Sequence, residues 1–186
     1  MNTDTCAFTG HHPLRFDFGY DEDDPLCGTI KRTMLSQIKT LCENGVTTFF
    51  TDCEVGVGMW AAELVLDLMR NHPEVQLICV LPHEEQAKKW TPELRDRYYI
   101  ILEKSSRNVL IGTHYTENSY KRCGDYLIRH ANFLIAVYGN ENVTTLDTTS
   151  RTIAYARKKG RVIIYIHPDT ANVTPITITL QRCLKV

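Results

Sequence analysis

No apolar run in this chain approaches the roughly 20 residues that a membrane-spanning helix requires. The opening residues Met1-Asn2-Thr3-Asp4 carry neither the basic start nor the apolar stretch of a secretory leader. Seven cysteines are present, an odd number, with no Cys-x-x-Cys pair and no zinc-ligand spacing. Cys6, Cys42 and Cys79 lie inside apolar segments, where a free thiol behaves as a small buried hydrophobe. These absences predict a cytoplasmic protein with reduced thiols. Charge of either sign is also in short surplus. Twenty-one Lys and Arg against 22 Asp and Glu leave a net −1, so no global positive field recruits nucleic acid or an anionic membrane. Both are disfavoured as partners. No Ser-His-Asp spacing, nucleophile elbow, Walker loop or HExxH zinc motif occurs. Nor does any repeat, low-complexity tract or linker divide the 186 residues, which predicts one domain over residues 1–186.

What is present is an alternation of short β-rich runs with helical patterns. Strands are predicted at Cys6 to Thr9, Thr47 to Thr51, Gln76 to Leu81, Asn108 to Ile111, Phe133 to Tyr138 and Arg161 to Ile166. Several are continuous apolar runs, as expected of strands covered on both faces. Between them, Ile30, Met34, Ile38, Leu41 and Cys42 recur at helical spacing, with Gly45 as a stop. Val57, Trp60, Ala61, Leu64, Val65 and Leu68 form a second stripe. Thr91-Pro92-Glu93 opens a third helix, Ser119 a fourth, and Asp147 or Thr148 a fifth. This order implies a three-layer, Rossmann-like α/β fold with a mostly parallel central sheet and helices on both faces. Thr174 to Leu180 alternates like an edge strand, although Pro175 argues against it.

In open α/β sheets, ligands bind beyond the carboxyl ends of strands, where strand order reverses. Thr9-Gly10-His11-His12 follows the first strand; its glycine permits close ligand approach, and its histidines suit hydrogen bonding or proton transfer. A turn with water-facing imidazoles explains them equally well. Asp52, Glu54, Gly56, Val57 and Gly58 follow the second strand and open a helix whose free amides suit an anion. Their two carboxylates oppose a phosphate, however, and helix capping explains them too. Trp60 and Glu63, in that helix's first turns, are placed to reach the crevice, although Trp60 shares the core stripe with Leu64. Arg122 is either an anion contact or an exposed cation. Asp21-Glu22-Asp23-Asp24 is expected to be a solvated loop rather than an ion site, and Tyr98, Tyr99 and Tyr120 packing residues.

Phe8-Thr9-Gly10-His11 with Pro13, Phe18-Gly19-Tyr20, and Gly56-Val57 followed by Trp60-Ala61-Ala62-Glu63 resemble the YpsA-like family. Gln86 with Trp90, Tyr98-Tyr99, Leu134 to Tyr138 and Tyr155-Ala156 fit the same order, so the resemblance spans Cys6 to Ile166. That family belongs to the SLOG superfamily, together with the DNA-processing protein DprA and the LOG phosphoribohydrolases. The resemblance implies a Rossmann-like fold and a nucleotide or nucleotide-derived ligand, for instance one like ADP-ribose, with or without Mg²⁺. It defines no activity, and for some bacterial members a link to cell division has been proposed.

Several positions depart from the family pattern. His12 stands where an arginine is typical, and Thr51-Asp52 replaces Ser-Gly. Gly58 replaces an acid, Cys123-Gly124 replaces Arg-Asn, and Arg129 replaces an acid. After Tyr138 the expected Gly-Gly-Thr is replaced, beyond a longer insertion, by Asp147-Thr148-Thr149. Glycines let backbone amides converge on a phosphate, so their loss points to a different ligand, a metal-bridged one or a decayed site. The expected function is ligand binding or sensing at Thr9, Gly10, His11, His12, Asp52, Glu54, Gly56, Val57, Trp60, Glu63, Arg122, Tyr138, Thr148 and Thr149. One alternative is an N-glycosidic hydrolase using Glu63 with His11. Another is a protein-interaction module, and a homo-oligomer is compatible with all three.

Overall fold

The computed structural model describes residues 5–139 and 147–174. Seven strands form one sheet in the order β4-β3-β2-β1-β5-β6-β7. The strands are β1 (Thr5–Gly10), β2 (Thr48–Thr51), β3 (Gln76–Leu81), β4 (Arg107–Leu110), β5 (Phe133–Val137), β6 (Val162–Ile166) and β7 (Val173–Thr174). All pairings are parallel except β6 with β7. Five α-helices connect them: α1 (Pro25–Glu43), α2 (Val57–Met69), α3 (Pro92–Lys104), α4 (Ser119–His130) and α5 (Thr148–Lys158).

The continuous apolar runs feed two cores because successive strand side chains point to opposite faces. Cys6 and Phe8 of β1 join Ile135 and Val137 of β5 in one core, while Ala7 joins Leu134 and Ala136 in the other. The first core is closed by α1, α2 and α3 through residues such as Met34, Trp60 and Ile101. Cys123 and Leu127 of α4 with Ile153 and Ala156 of α5 close the second. An α/β/α sandwich with both sheet faces covered is the result, as the strand composition requires.

Element ends differ from the sequence expectation where capping decides them. Helix α1 begins at Pro25, where the Asp24 carboxylate accepts from Leu26 N–H at 2.7 Å and Pro25 supplies a preset first turn. The acidic run is therefore not simply solvated. Asp24 caps, and Glu22 is bound by Lys31 and Arg97. The α4 cap position falls on Asn118, while Ser119 is buried with its hydroxyl accepting from Thr116 N–H. Asp147 caps α5, accepting from Ser150 N–H at 2.7 Å. Of the predicted C-terminal edge strand, only Thr174 is described, paired antiparallel with Tyr165 at the sheet edge; residues 175–180 lie outside the described residues. Among the described residues no helix is long and apolar enough to cross a membrane.

Candidate functional site

Strand order reverses between β1 and β5, and a crevice of about 260 Å³ opens there beyond the strand ends. Four segments build it. Thr9 to His12 come from the end of β1, and Asp52, Glu54, Val57 and Gly58 from the turn between β2 and α2. Tyr120 and Gly124 lie on α4, and Thr148, Thr149 and Thr152 on α5. The first and last segments are tied together, since the Thr149 hydroxyl donates to the Gly10 carbonyl at 2.7 Å.

His11 is fixed from both sides. Its amide donates to the Val137 carbonyl, and its Nε2 accepts from Gly139 N–H at 3.2 Å. Nδ1 of the neutral ring therefore holds the proton, and that N–H has no hydrogen-bond partner among the described residues. The ring packs on Tyr138, with centroids 4.7 Å apart. Burial lowers the His11 pKa, partly opposed by Asp147, so the ring is neutral at physiological pH. His12 is likewise lowered by burial; its Nδ1 accepts from Leu14 N–H, which leaves Nε2–H facing the Tyr20 hydroxyl oxygen at 3.5 Å.

The β2–α2 turn is held in an uncommon shape. Cys53 has φ +54°, a left-handed conformation that a non-glycine residue adopts only under constraint. Thr51 supplies the constraint: its hydroxyl donates to the Gly58 carbonyl at 2.8 Å and accepts from Cys53 N–H at 3.2 Å. Gly56, at φ +92°, lets the chain pass Pro13, whose Cδ would lie 2.9 Å from any added Cβ. A Cβ on Gly58 would collide with the Asp52 carboxylate, which lies against the first turn of α2. That carboxylate sits where a helix N-terminus favours an anion.

Asp52 and Glu54 are both harder to ionise than usual. Burial raises Asp52. Burial and the Asp52 charge raise Glu54 from 4.5 to about 7, despite hydrogen bonds from Gln86 and Tyr120. Gln86 organises the pair, its Nε2 donating to Glu54 Oε2 at 3.1 Å and to the Asp52 carbonyl at 3.0 Å. The Tyr98 hydroxyl donates to the Gln86 Oε1 at 3.4 Å behind it. Tyr120 faces the crevice and Glu54 rather than serving only as packing, and burial with the Glu54 charge raises its pKa. Among the described residues no group of three or more His, Cys, Asp and Glu is placed to hold a metal ion.

Nine of the residues nominated from sequence meet in this crevice: Thr9, Gly10, His11, His12, Asp52, Glu54, Val57, Thr148 and Thr149. Others stand elsewhere. Trp60 is 1% exposed and packs on Phe16 and Phe18, so it belongs to the core. Glu63 points to the α2–α3 face, bound by Arg97 through contacts of 2.8 and 2.9 Å, and does not line the crevice. Arg122 donates to the Ile111 carbonyl. Gly56 and Tyr138 support the turn and the His11 ring without lining it. Gly124 and Thr152 were not anticipated. An added Cβ on Gly124 would lie 2.5 Å from Thr152 Oγ1, so this glycine sets how closely α4 and α5 pack beside the crevice.

A family model described as the YspA SLOG family (YpsA) matches residues 6–171. The chain belongs to this family. Similar relatives include a UPF0398 protein of Bacillus cereus strain G9842, 26% identical over 162 residues, covering 86% of this chain and 85% of the relative. A UPF0398 protein of Bacillus thuringiensis strain Al Hakam is 25% identical over the same shares. Among solved structures, the X-ray structure of TM1055, a structural-genomics target, aligns with a TM-score of 0.52 at 17% identity. It covers 86% of this chain and 72% of that one, and the likeness is one of fold. In this SLOG chain, both helix N-termini beside the crevice already carry a side-chain carboxylate, Asp52 at α2 and Asp147 at α5.

Proposed function

We propose that the chain binds a nucleotide-derived small molecule and seats an uncharged, hydroxyl-rich part of it, such as a ribose, in the crevice. One observation carries this: the wall at the switch point combines carboxyls and hydroxyls with no Lys or Arg among its described lining residues. Vicinal sugar hydroxyls donate to Asp52 and Glu54 and pair with the hydroxyls of Thr9 and Thr148, a match that a bare phosphate lacks. The orphaned His11 Nδ1–H adds an unused donor close by. A site of this kind senses or holds a ligand without requiring chemistry.

The test is a thermal-shift and calorimetric screen of nucleosides, nucleotides, NAD, ADP-ribose and cyclic dinucleotides, with and without Mg²⁺. Dose-dependent stabilisation is expected. It should be lost in Thr148→Trp, which fills the crevice from an exposed position. Stabilisation untouched by Thr148→Trp would place the ligand elsewhere and overturn the proposal.

A second reading, N-glycosidic hydrolysis, is favoured by one feature: a crevice carboxyl that titrates at about 7, suited to proton transfer near neutrality. Glu54 takes the role considered for Glu63. It would protonate the departing base as the N-glycosidic bond breaks, while water adds to the sugar carbon and gives its proton to solvent, which reprotonates Glu54. Release of free base from nucleoside monophosphates, abolished by Glu54→Gln, distinguishes this reading; intact ligand after prolonged incubation rejects it.

A further inference from the structure

The crevice is small for a whole nucleotide-derived ligand. At about 260 Å³ it lies below the roughly 300–1,000 Å³ of pockets that enclose drug-sized molecules. His12 and Val55 line it on one side and line a second cavity, of about 520 Å³, on the other. That second cavity lies between the Tyr20 segment and the loop leading into α3, and its chemistry is the complement of the crevice's.

Tyr20 and Trp90 present aromatic surface there, with Lys89 and Arg97 beside them. Tyr20 is 52% exposed, and its only described ties are to His12, edge-on with centroids 5.9 Å apart and through the 3.5 Å hydroxyl contact. Because His12 Nε2 donates in that contact, the Tyr20 O–H proton remains free to bond a ligand. Trp90 rests edge-on against Tyr98, 5.3 Å between centroids, which leaves its ring anchored but half-exposed. The one acid in the wall, Glu22, is already engaged by Arg97 at 2.8 and 3.2 Å and by Lys31 at 2.5 Å. Lys89 makes no ion pair among the described residues. The groove therefore offers two aromatic faces and one uncommitted cation, where the crevice offers carboxyls and hydroxyls.

We infer that crevice and groove form one bipartite site across the His12–Val55 wall, taking a sugar joined through a phosphate bridge to an aromatic base. The sugar occupies the crevice, the base meets Tyr20 and Trp90, and the negative bridge is met by Lys89. The inference rests on the crevice proposal for one half of the ligand and adds the other half. The phosphate is met from the groove and not at the helix N-termini, where Asp147 caps α5 and the Asp52 carboxylate lies against Gly58 while accepting from Glu54 N–H. Aromatic faces hold a base by stacking without selecting its identity.

ADP-ribose is the probe, titrated into the full chain by calorimetry and by quenching of tryptophan fluorescence. The chain has two tryptophans, and Trp60 is sealed in the core, so a ligand in the groove quenches Trp90. Tyr20→Ser and Lys89→Glu alter exposed side chains, and unliganded melting temperatures check that the fold is intact. Each is expected to weaken ADP-ribose about 10-fold or more, and Thr148→Trp is expected to weaken it too. If Thr148→Trp alone weakens binding, the groove assignment is overturned while the crevice proposal stands. If only the groove variants weaken it, the crevice proposal falls and the bipartite site with it. Absence of both heat and quenching at millimolar ADP-ribose overturns both.

Discussion

Replacing Glu54 by Gln isolates one carboxyl whose ionisation the fold resists. In the unfolded chain this group titrates near 4.5, whereas in the native crevice burial and Asp52 push it to about 7. Between those pH values the native state keeps a proton that the unfolded state has lost. Native stability therefore falls as pH rises from about 4.5 to about 7 and levels off above. Each tenfold change in proton affinity is worth about 1.36 kcal/mol, which caps the penalty on the order of 3 kcal/mol. Solvent reaching the crevice reduces this to about 1–2 kcal/mol. Glutamine mimics the protonated acid and keeps an oxygen for Gln86, so wild type and variant should match at about pH 4, below the unfolded-state value. At pH 8 the variant should be the more stable by about 1–2 kcal/mol, read from urea unfolding at both pH values. In thermal melts the same gap corresponds to about 2–8 °C. Titrating groups remote from Glu54 cancel in the comparison, whereas its neighbours Asp52 and Tyr120 respond to the change. Parallel stability curves for the two proteins would show that Glu54 ionises normally, and would remove the physical basis for its role in proton transfer.

Trp60→Ala should destabilise the chain by about 3–5 kcal/mol in chemical unfolding, because the indole is buried among Phe16, Phe18 and the α1–α2 core; a loss under 1 kcal/mol would contradict a core role. Burial alone would raise the Glu22 pKa, but hydrogen bonds from Arg97 and Lys31 win and hold it at about 2. Its contribution is thus present above about 4.5 and lost as pH falls through about 2, so Arg97→Ala should cost about 1–2 kcal/mol at pH 7 and flatten the acid limb of the stability curve. Gly58→Glu should destabilise by about 1–3 kcal/mol through collision with the Asp52 carboxylate. The Asp52→Gly/Gly58→Glu double variant should recover at least half of that loss, and strict additivity of the two single effects would refute the collision.

Much of the architecture was legible because it is written in local patterns. Six strand runs fell within a residue or two of their observed ends, since continuous apolar runs such as Leu134 to Val137 can be buried only on both faces of a sheet. The start of α1 carries a weaker local signal: Asp24 and Pro25 are a cap and first-turn pair, but within an acidic run they read as a solvated loop. The crevice itself was largely nominated by the strand-end rule. Misplacements within it came from helix geometry, which sequence proximity hides. Glu63 lies only six residues after Val57, yet its carboxylate is held on the α2–α3 face by Arg97, a partner 34 residues away. Tyr120, Gly124 and Thr152 reach the site only because α4 and α5 pack side by side, and no local signal carries that contact.

The departures from the family pattern teach the most about what a single sequence hides. An acid at 52 in place of glycine, and a glycine at 58 in place of an acid, read along the chain as two separate losses. In space they meet, because the Asp52 carboxylate lies where a side chain at 58 would begin. The carboxyl beside the first turn of α2 is supplied here from the strand end. The turn that presents it is pinned by Thr51 through both its hydroxyl contacts, and its left-handed Cys53 is a conformational cost that decay would be expected to relax. Gln86 spans the same turn, bonding the Asp52 carbonyl and the Glu54 carboxyl together. Four hydrogen bonds thus hold this turn in shape around two reluctant carboxyls. Under the proposed function this wall meets the hydroxyl-rich end of a ligand, and the cation for its phosphates is Lys89, one wall away, since Arg97 is held by Glu22 and Glu63.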